Sequence, residues 1–211
     1  MKIAVVAANG RVAQKVVQEA QKRGIEVTAF ARGDENKSAA QTYIKKDIMD
    51  LTKDDLTGFD AVVDGFGAWK DEDQPMHLKT SQHLCDLLSN TNTRLVIVGG
   101  AGSLYVNPEH TLQVKDGADF PAIFLPLANA QGKELDELRK RNDVKWTFIS
   151  PAADFQADGE DTGKYILGGE ELTLNDKGES IISYADYALA LVDELEKGDH
   201  IQQRISVVRE G

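Results

Sequence analysis

Three stretches of the chain carry glycine where backbone would meet a ligand: Gly10, the run Gly65-Phe66-Gly67, and Gly99-Gly100-Ala101-Gly102-Ser103. Each follows a short apolar segment rich in β-branched residues. Glycine past a strand lets backbone approach a phosphate, and a helix opening there offers free N–H groups and the positive end of its dipole. At the first stretch the spacing G-x-x-G-x-x-G falls on Ala7, Gly10 and Ala13. Gly10 holds the position of closest approach and Ala13 is small enough for helix and sheet to meet, whereas the Ala7 methyl restricts the turn. A buried strand with its crossover helix and no ligand is the alternative reading of this stretch alone. Other chemistries find less support. His77, His83, His110 and His200 are scattered without zinc-ligand spacing, and Tyr105 stands where a Gly-x-Ser-x-Gly nucleophile motif around Ser103 needs its last glycine. The acidic stretch 154–161 lacks a calcium-loop pattern. Cys85 lies among Leu84, Leu87 and Leu88 and reads as a core thiol.

The elements that position these residues alternate. Residues 3–8 form a strand. An amphipathic helix follows, with Val12, Ala13, Val16, Val17 and Ala20 on one face, and it stops at Gly24. Residues 25–30 form the second strand, 42–46 the third and 60–64 the fourth, with a small helix at 52–57. Pro75 opens a helix to about Asn90, and 94–98 is the fifth strand. Residues 104–126, with three prolines and no clear period, read as a long surface excursion with some short structure. Helix 127–141 and strand 145–149 follow, then strand signals at 165–167 and 171–174, a helix over 186–197 and a closing strand at 204–208.

This alternation predicts an α/β fold, a doubly wound parallel sheet with helices on both faces, spanning 1–211 as one domain. Residues 151–211 would complete the sheet and its substrate side. Ligands of such sheets bind outside the carboxyl ends of the strands. That rule gathers Gly10, Arg32, Asp47, Gly65 to Gly67 and Gly99 to Ser103 on one rim, which implies a nucleotide crevice. The 211 residues carry a formal net charge of −11, which argues against a nucleic-acid backbone or an anionic membrane surface as partner. No segment approaches the length of a membrane span, and Met1-Lys2 leads straight into a strand, so a cytoplasmic protein is expected.

The combination Ala8-Asn9-Gly10-Arg11-Val12, Phe30-Ala31-Arg32, Lys46-Asp47-Ile48-Met49-Asp50, Asp60 to Asp64, Val98 to Leu104 and Ile149-Ser150-Pro151 resembles the atypical short-chain dehydrogenase/reductase group. Within it the chain is most similar to the NAD(P)H-flavin reductases, relatives of NmrA-like and biliverdin reductase B-like proteins. The similarity extends to Gly163-Lys164-Tyr165 and residues 182–188. It implies a Rossmann fold in which the segment Ala8 to Val12 meets the cofactor, with backbone groups of Asn9, Gly10, Arg11 and Val12 on the pyrophosphate. Arg32 matches the basic residue placed against an adenosine 2′-phosphate, a role that suits its planar fork. NADP(H) is therefore expected over NAD(H), with Asp34 and Glu35 close enough to oppose that preference. Asp47 and Ile48 match the pair at the adenine. Gly65, Phe66, Gly67 and Gly99 would lie along the cofactor.

The larger family uses a Tyr-x-x-x-Lys pair for proton transfer, but here Asn129 stands four residues before Lys133. Alcohol and ketone chemistry loses its proton relay. Flavin reduction asks less of the protein, mainly orientation and exclusion of water. Ser103 is the expected neighbour of the nicotinamide, or else completes a glycine-rich turn. Lys133 would hold ribose hydroxyls, or else be a solvated lysine, and Tyr105 is a substitute proton donor. Trp69 and Phe155 would wall the substrate pocket. The expected activity is NADPH-dependent reduction of a flavin or quinone-like small molecule, the flavin a substrate and not a tightly held cofactor. An NmrA-like redox sensor and a sugar-nucleotide epimerase relative are the rival readings. No metal is expected, and a homodimer is the assembly considered.

Overall fold

The computed structural model describes all residues, Met1–Gly211. Ten strands occur in chain order: β1 (Lys2–Val6), β2 (Glu26–Ala31), β3 (Thr42–Lys45), β4 (Ala61–Asp64), β5 (Arg94–Val98), β6 (Lys145–Ser150), β7 (Asp154–Gln156), β8 (Tyr165–Gly168), β9 (Ile181–Ser183) and β10 (Gln203–Arg209). Eight make one sheet in the order β3-β2-β1-β4-β5-β6-β10-β8, and β7 pairs with β9 alone. All neighbours in the large sheet run parallel except β8, which is antiparallel to β10. Continuous apolar runs explain the central position of β1 and β4. Ile3 to Val6 and Ala61 to Val63 are buried whichever face each side chain takes, as a parallel strand covered on both sides requires.

Four helices supply that cover: α1 (Arg11–Lys22), α2 (Pro75–Leu88), α3 (Leu125–Leu138) and α4 (Tyr184–Lys197). One core joins Val5, Val63 and Ile149 to Ala13 and Val17 of α1 and Leu191 of α4. The other joins Ala4, Val62 and Phe148 to Leu84 of α2 and Leu135 of α3. The doubly wound α/β expectation holds. From β1 the chain winds outward to β2 and β3, then returns to place β4 on the opposite side of β1. The switch point is therefore the gap between the carboxyl ends of β1 and β4, the place where an open α/β sheet holds its ligand.

Several boundaries differ from expectation. Helix α3 starts at Leu125 because Pro126 is accommodated in its first turn, and α4 starts at Tyr184 because the Ser183 hydroxyl accepts from the Asp186 N–H at 3.0 Å. The strand expected at 171–174 reduces to an isolated bridge between Glu171 and Tyr105. The segment does not extend the sheet past β8; the Leu172 N–H donates to the Tyr105 carbonyl at 2.8 Å, and the Thr173 hydroxyl meets that of Ser206 at 3.3 Å. The pair β7 and β9 was not expected from the sequence.

Ala7 sits in the turn after β1 with φ +52°, a left-handed conformation that an L side chain adopts at a cost of about 1 kcal/mol. Replacing it by glycine relieves that cost. Ala7→Gly is expected to raise the denaturant midpoint, equivalent to roughly 0.5–1 kcal/mol, with an unchanged slope. An unchanged or lower midpoint would show that the turn carries no strain.

Candidate cofactor and substrate crevice

The floor of the crevice is the N-terminus of α1. Gly10 precedes the helix in extended conformation, no side chain caps it, and the first turn carries no acidic residue. Gly10 N–H donates to the Ala7 carbonyl at 2.9 Å and Gln14 N–H to the Gly10 carbonyl at 2.9 Å, which leaves the amides of Arg11, Val12 and Ala13 without a protein acceptor. Three unpaired N–H groups on the positive end of a twelve-residue helix form a site for an anion. Small residues bring this end close to the sheet. A Cβ on Gly65 would stand 2.8 Å from the Ala13 methyl and 3.2 Å from the Val6 carbonyl, and one on Gly10 would stand 3.3 Å from the Ala7 carbonyl. Gly10 and Gly65 thus make a cradle that side chains would fill, and it fits the pyrophosphate of a dinucleotide.

Two lobes open from this floor and share Gly10 and the segment 65–69. The first, about 850 Å³, is lined by Asn9, Arg32, Asp47 and Ile48 among others. Asn9 shapes it: its side-chain amide donates to the Glu35 carbonyl at 2.9 Å, and its oxygen accepts from the Lys37 N–H at 2.9 Å. The loop after β2 is held by these bonds. Arg32 is 82% exposed, with Nε 3.6 Å from Asp47 Oδ2, while Asp47 Oδ1 accepts from the Met49 N–H at 2.9 Å. The second lobe, about 540 Å³, is apolar and aromatic, walled by Phe66, Trp69, Phe120, Phe124, Phe155 and Tyr184. Phe155 packs on Tyr184 with ring centroids 4.3 Å apart, and Trp69, 73% exposed, stands where the two lobes join.

Behind the shared wall lies a group of buried ionisable side chains. His77 Nε2 accepts from the Ala68 N–H at 3.4 Å, and Gln74 Nε2 donates to the Ala68 carbonyl at 3.0 Å, so α2 holds both backbone groups of the residue before Trp69. This bond leaves the ring proton of neutral His77 on Nδ1, 3.9 Å from Glu134 Oε2. Burial lowers the His77 pKa to about 4. Burial, with the nearby Asp64 charge, drives Glu134 well above the carboxylate range, and its Oε2 has no hydrogen-bond partner. Asp64, at the end of β4, is raised to about 6 by burial, opposed by the Phe66 N–H that donates to its Oδ1 at 2.9 Å. The Cys85 thiol, raised to about 12 chiefly by burial, is the inert core group expected.

Most residues expected at the cofactor do meet in this crevice: Asn9, Gly10, Arg11, Val12, Arg32, Asp47, Ile48, Gly65, Phe66, Gly67 and Gly99 all line one lobe or the other. Ala8 does not. It is fully buried, and its N–H donates to the Phe30 carbonyl at 3.0 Å. The three residues expected to carry catalysis are also displaced. Ser103 is buried behind the wall with its hydroxyl accepting from Arg204 at 3.2 Å, and it shares a separate polar cavity with Lys133. Tyr105 lines neither lobe and stacks on His110 at 4.4 Å. The face of α3 that meets the crevice carries Leu127 and Gln131, four residues apart, so the Tyr-x-x-x-Lys spacing falls on two side chains that do not titrate. Sequence reasoning missed His77, Phe120, Phe124 and Gln131. The 127/131 spacing was available in the sequence, but the lysine at 133 drew the register two residues along the helix.

A crevice at the switch point, floored by an uncapped helix, defines a dinucleotide-binding Rossmann protein. The chain belongs to a family described as NAD(P)H-binding, whose model matches residues 7–197. It is 42% identical over 215 residues to the YwnB protein of Bacillus subtilis (strain 168), covering 100% of this chain and 99% of that one. A crystal structure from Streptococcus pneumoniae that carries the name "putative NADH-flavin reductase" is 57% identical, with a TM-score of 0.97 and 100% of both chains covered. A Bacteroides thetaiotaomicron structure named a "putative epimerase" is 34% identical, with a TM-score of 0.84 over 100% of this chain and 97% of that one.

The pKa of Asp64 gives a signed prediction. A folded value of about 6 against an ordinary 3.8 means that the folded state binds more protons between those limits, so this group lowers stability as pH rises through the window and costs most above it. His77 acts in the opposite sense, since the unfolded chain takes up the proton first as pH falls from about 6.5 towards 4. Asp64→Asn keeps the acceptor for Phe66 and removes only the charge. It is expected to raise the thermal midpoint at pH 8 by the equivalent of about 2–3 kcal/mol, with the gain vanishing near pH 4. A gain independent of pH, or a loss at pH 8, would contradict the buried charge.

Proposed function

We propose that the chain transfers a hydride from NAD(P)H, NADPH in preference, to a planar small-molecule acceptor of the flavin or quinone type. The observation that carries this reading is the two-lobed crevice, a polar lobe with Arg32 joined at Trp69 to an apolar lobe walled by aromatic rings. The amides of Arg11 and Val12 bind the pyrophosphate, Arg32 pairs with the 2′-phosphate by exchanging Asp47 for it, and Ile48 covers the adenine. Arg32 needs little persuasion, because an exposed ion pair at 3.6 Å contributes little. A bound nicotinamide supplies a hydride from its C4. The protein orients it against the acceptor and excludes water, and the acceptor takes its proton from solvent at the open mouth. The S. pneumoniae relative supports the flavin assignment by its name. Leu127 and Gln131 on α3 weigh against epimerase chemistry, which needs a titrating pair there. The acceptor is a diffusible substrate, and a cytoplasmic setting belongs to the same reading.

Titration of the protein with NADPH and NADH, followed by addition of FMN or riboflavin while the nicotinamide absorbance is watched, tests the proposal. Tighter binding of NADPH and its flavin-dependent oxidation are expected. Arg32→Ala should weaken NADPH by about tenfold, leave NADH within about twofold, and so erase the preference. Tight binding without turnover on flavins or quinones would replace the reductase by a redox sensor, and no binding of either nucleotide would overturn both.

A further inference from the structure

The polar cavity that took Ser103 and Lys133 away from the crevice has a function of its own to explain. It encloses about 190 Å³ between the end of the β5 loop, the long excursion and the outer face of α3. Its hydrogen-bonding groups are almost all donors. Ser103 is 5% exposed and its oxygen already accepts from Arg204, which leaves the hydroxyl proton to donate. The Gln113 side chain accepts from the backbone of Asp116, so its carbonyl is engaged and its NH₂ is free. Lys115 and Lys133 have no carboxylate within ion-pair distance although the chain carries a net charge of −11, and Asn129 adds an amide. The one carboxylate on the rim, Asp136, is paired with Arg139 at 3.4 Å. Gly132 stands where the three segments meet, since a Cβ there would lie in ordinary contact with both Lys115 Nζ, at 3.4 Å, and the Ser103 Cβ, at 3.7 Å.

Two unpaired ammonium groups, a buried hydroxyl and two amides that converge from three separate segments suit a compact tetrahedral oxyanion better than a planar carboxylate. A tetrahedral ion presents acceptors in every direction, whereas a carboxylate presents two in one plane. We propose that this cavity binds a small divalent oxyanion, inorganic phosphate or the phosphoryl group of a small phosphomonoester. The inference is independent of the acceptor reduced in the crevice. Its consequence reaches the crevice through chain connectivity, because the ion would tie Lys115 of the excursion to Lys133 of α3. The same excursion carries Phe120 and Phe124 into the aromatic wall.

Amide chemical shifts followed while inorganic phosphate, glycerol phosphate or acetate is added at constant ionic strength decide the matter, with an upper limit of about 10 mM. Phosphate should move the amides of Ser103, Lys115 and Gly132 in a saturable way, and acetate should not. Saturation by inorganic phosphate alone identifies the free ion as ligand, and equal saturation by glycerol phosphate identifies the phosphoryl group. Lys115→Met and Lys133→Met should each weaken binding by about tenfold, while Lys140→Met, just past the end of the same helix and paired with Glu137, should leave it unchanged. Thermal midpoints without phosphate, and NADPH titration, show whether the variants remain folded. Shifts confined to Arg11 and Val12 would place phosphate in the crevice alone and overturn this proposal while leaving the cofactor reading intact. No saturable shift, or equal shifts in wild type and both lysine variants, would overturn it as well.

Discussion

Everything in the crevice depends on how closely α1 is pressed against the exits of β1 and β4. The Ala13 methyl occupies space beside Gly65 that a second Cβ would contest at 2.8 Å, and this contact sets the height of the helix end above the sheet. A larger residue at either place would tilt the helix away and withdraw its free amides from the crevice. The turn that makes the approach possible includes Ala7 in left-handed conformation, where glycine would be at ease. The fold accepts local strain at the point where its ligand site is built, as strained backbone at functional sites commonly does.

From that fixed floor the two walls are secured by different means. On the polar side, Asn9 bonds the loop after β2 at two places and the Tyr43 hydroxyl donates to the Gly33 carbonyl, so a residue of the turn after β1 also shapes the lobe around Arg32. On the apolar side, His77 and Gln74 hold the backbone of Ala68 and so position Trp69. The cost of this second device is a set of ionisable groups kept from water. Neutral His77, a Glu134 carboxyl pushed well above its ordinary value by burial and an Asp64 whose pKa is pulled towards neutrality lie together under the wall. Buried charge of this kind lowers stability, and its presence beside a crevice accords with the concentration of perturbed groups at functional sites.

The fold was legible because it is written in periodic patterns: apolar runs for the central strands, a 3.6-residue stripe for α1, and glycines at strand ends. The glycine rim of the crevice was legible for the same reason, since the switch-point rule converts strand order into a list of neighbours such as Gly10, Gly65 and Gly99. The aromatic wall was not. Phe120 and Phe124 come from an excursion without a period, and β7 with β9 is too short to show one. Lys133 was misplaced because a sequence gives the helix but not its rotation about its own axis, and two residues turn a side chain by more than half a revolution; Ser103 lies in the turn after β5, whose direction no periodic pattern records. Ala8 was misplaced because the turn after β1, with Ala7 in left-handed conformation, folds its methyl into the core and its N–H onto the Phe30 carbonyl.

The central claim is direct hydride transfer within one two-lobed crevice. The most direct measurement incubates the protein with NADPH deuterated at C4 and a 5-deazaflavin, whose C5 retains a transferred hydride without exchange, and locates the deuterium by mass spectrometry. The account predicts stoichiometric deuterium on the deazaflavin from one face of the nicotinamide. Reduced deazaflavin without the label, or cofactor bound and never oxidised, would contradict it.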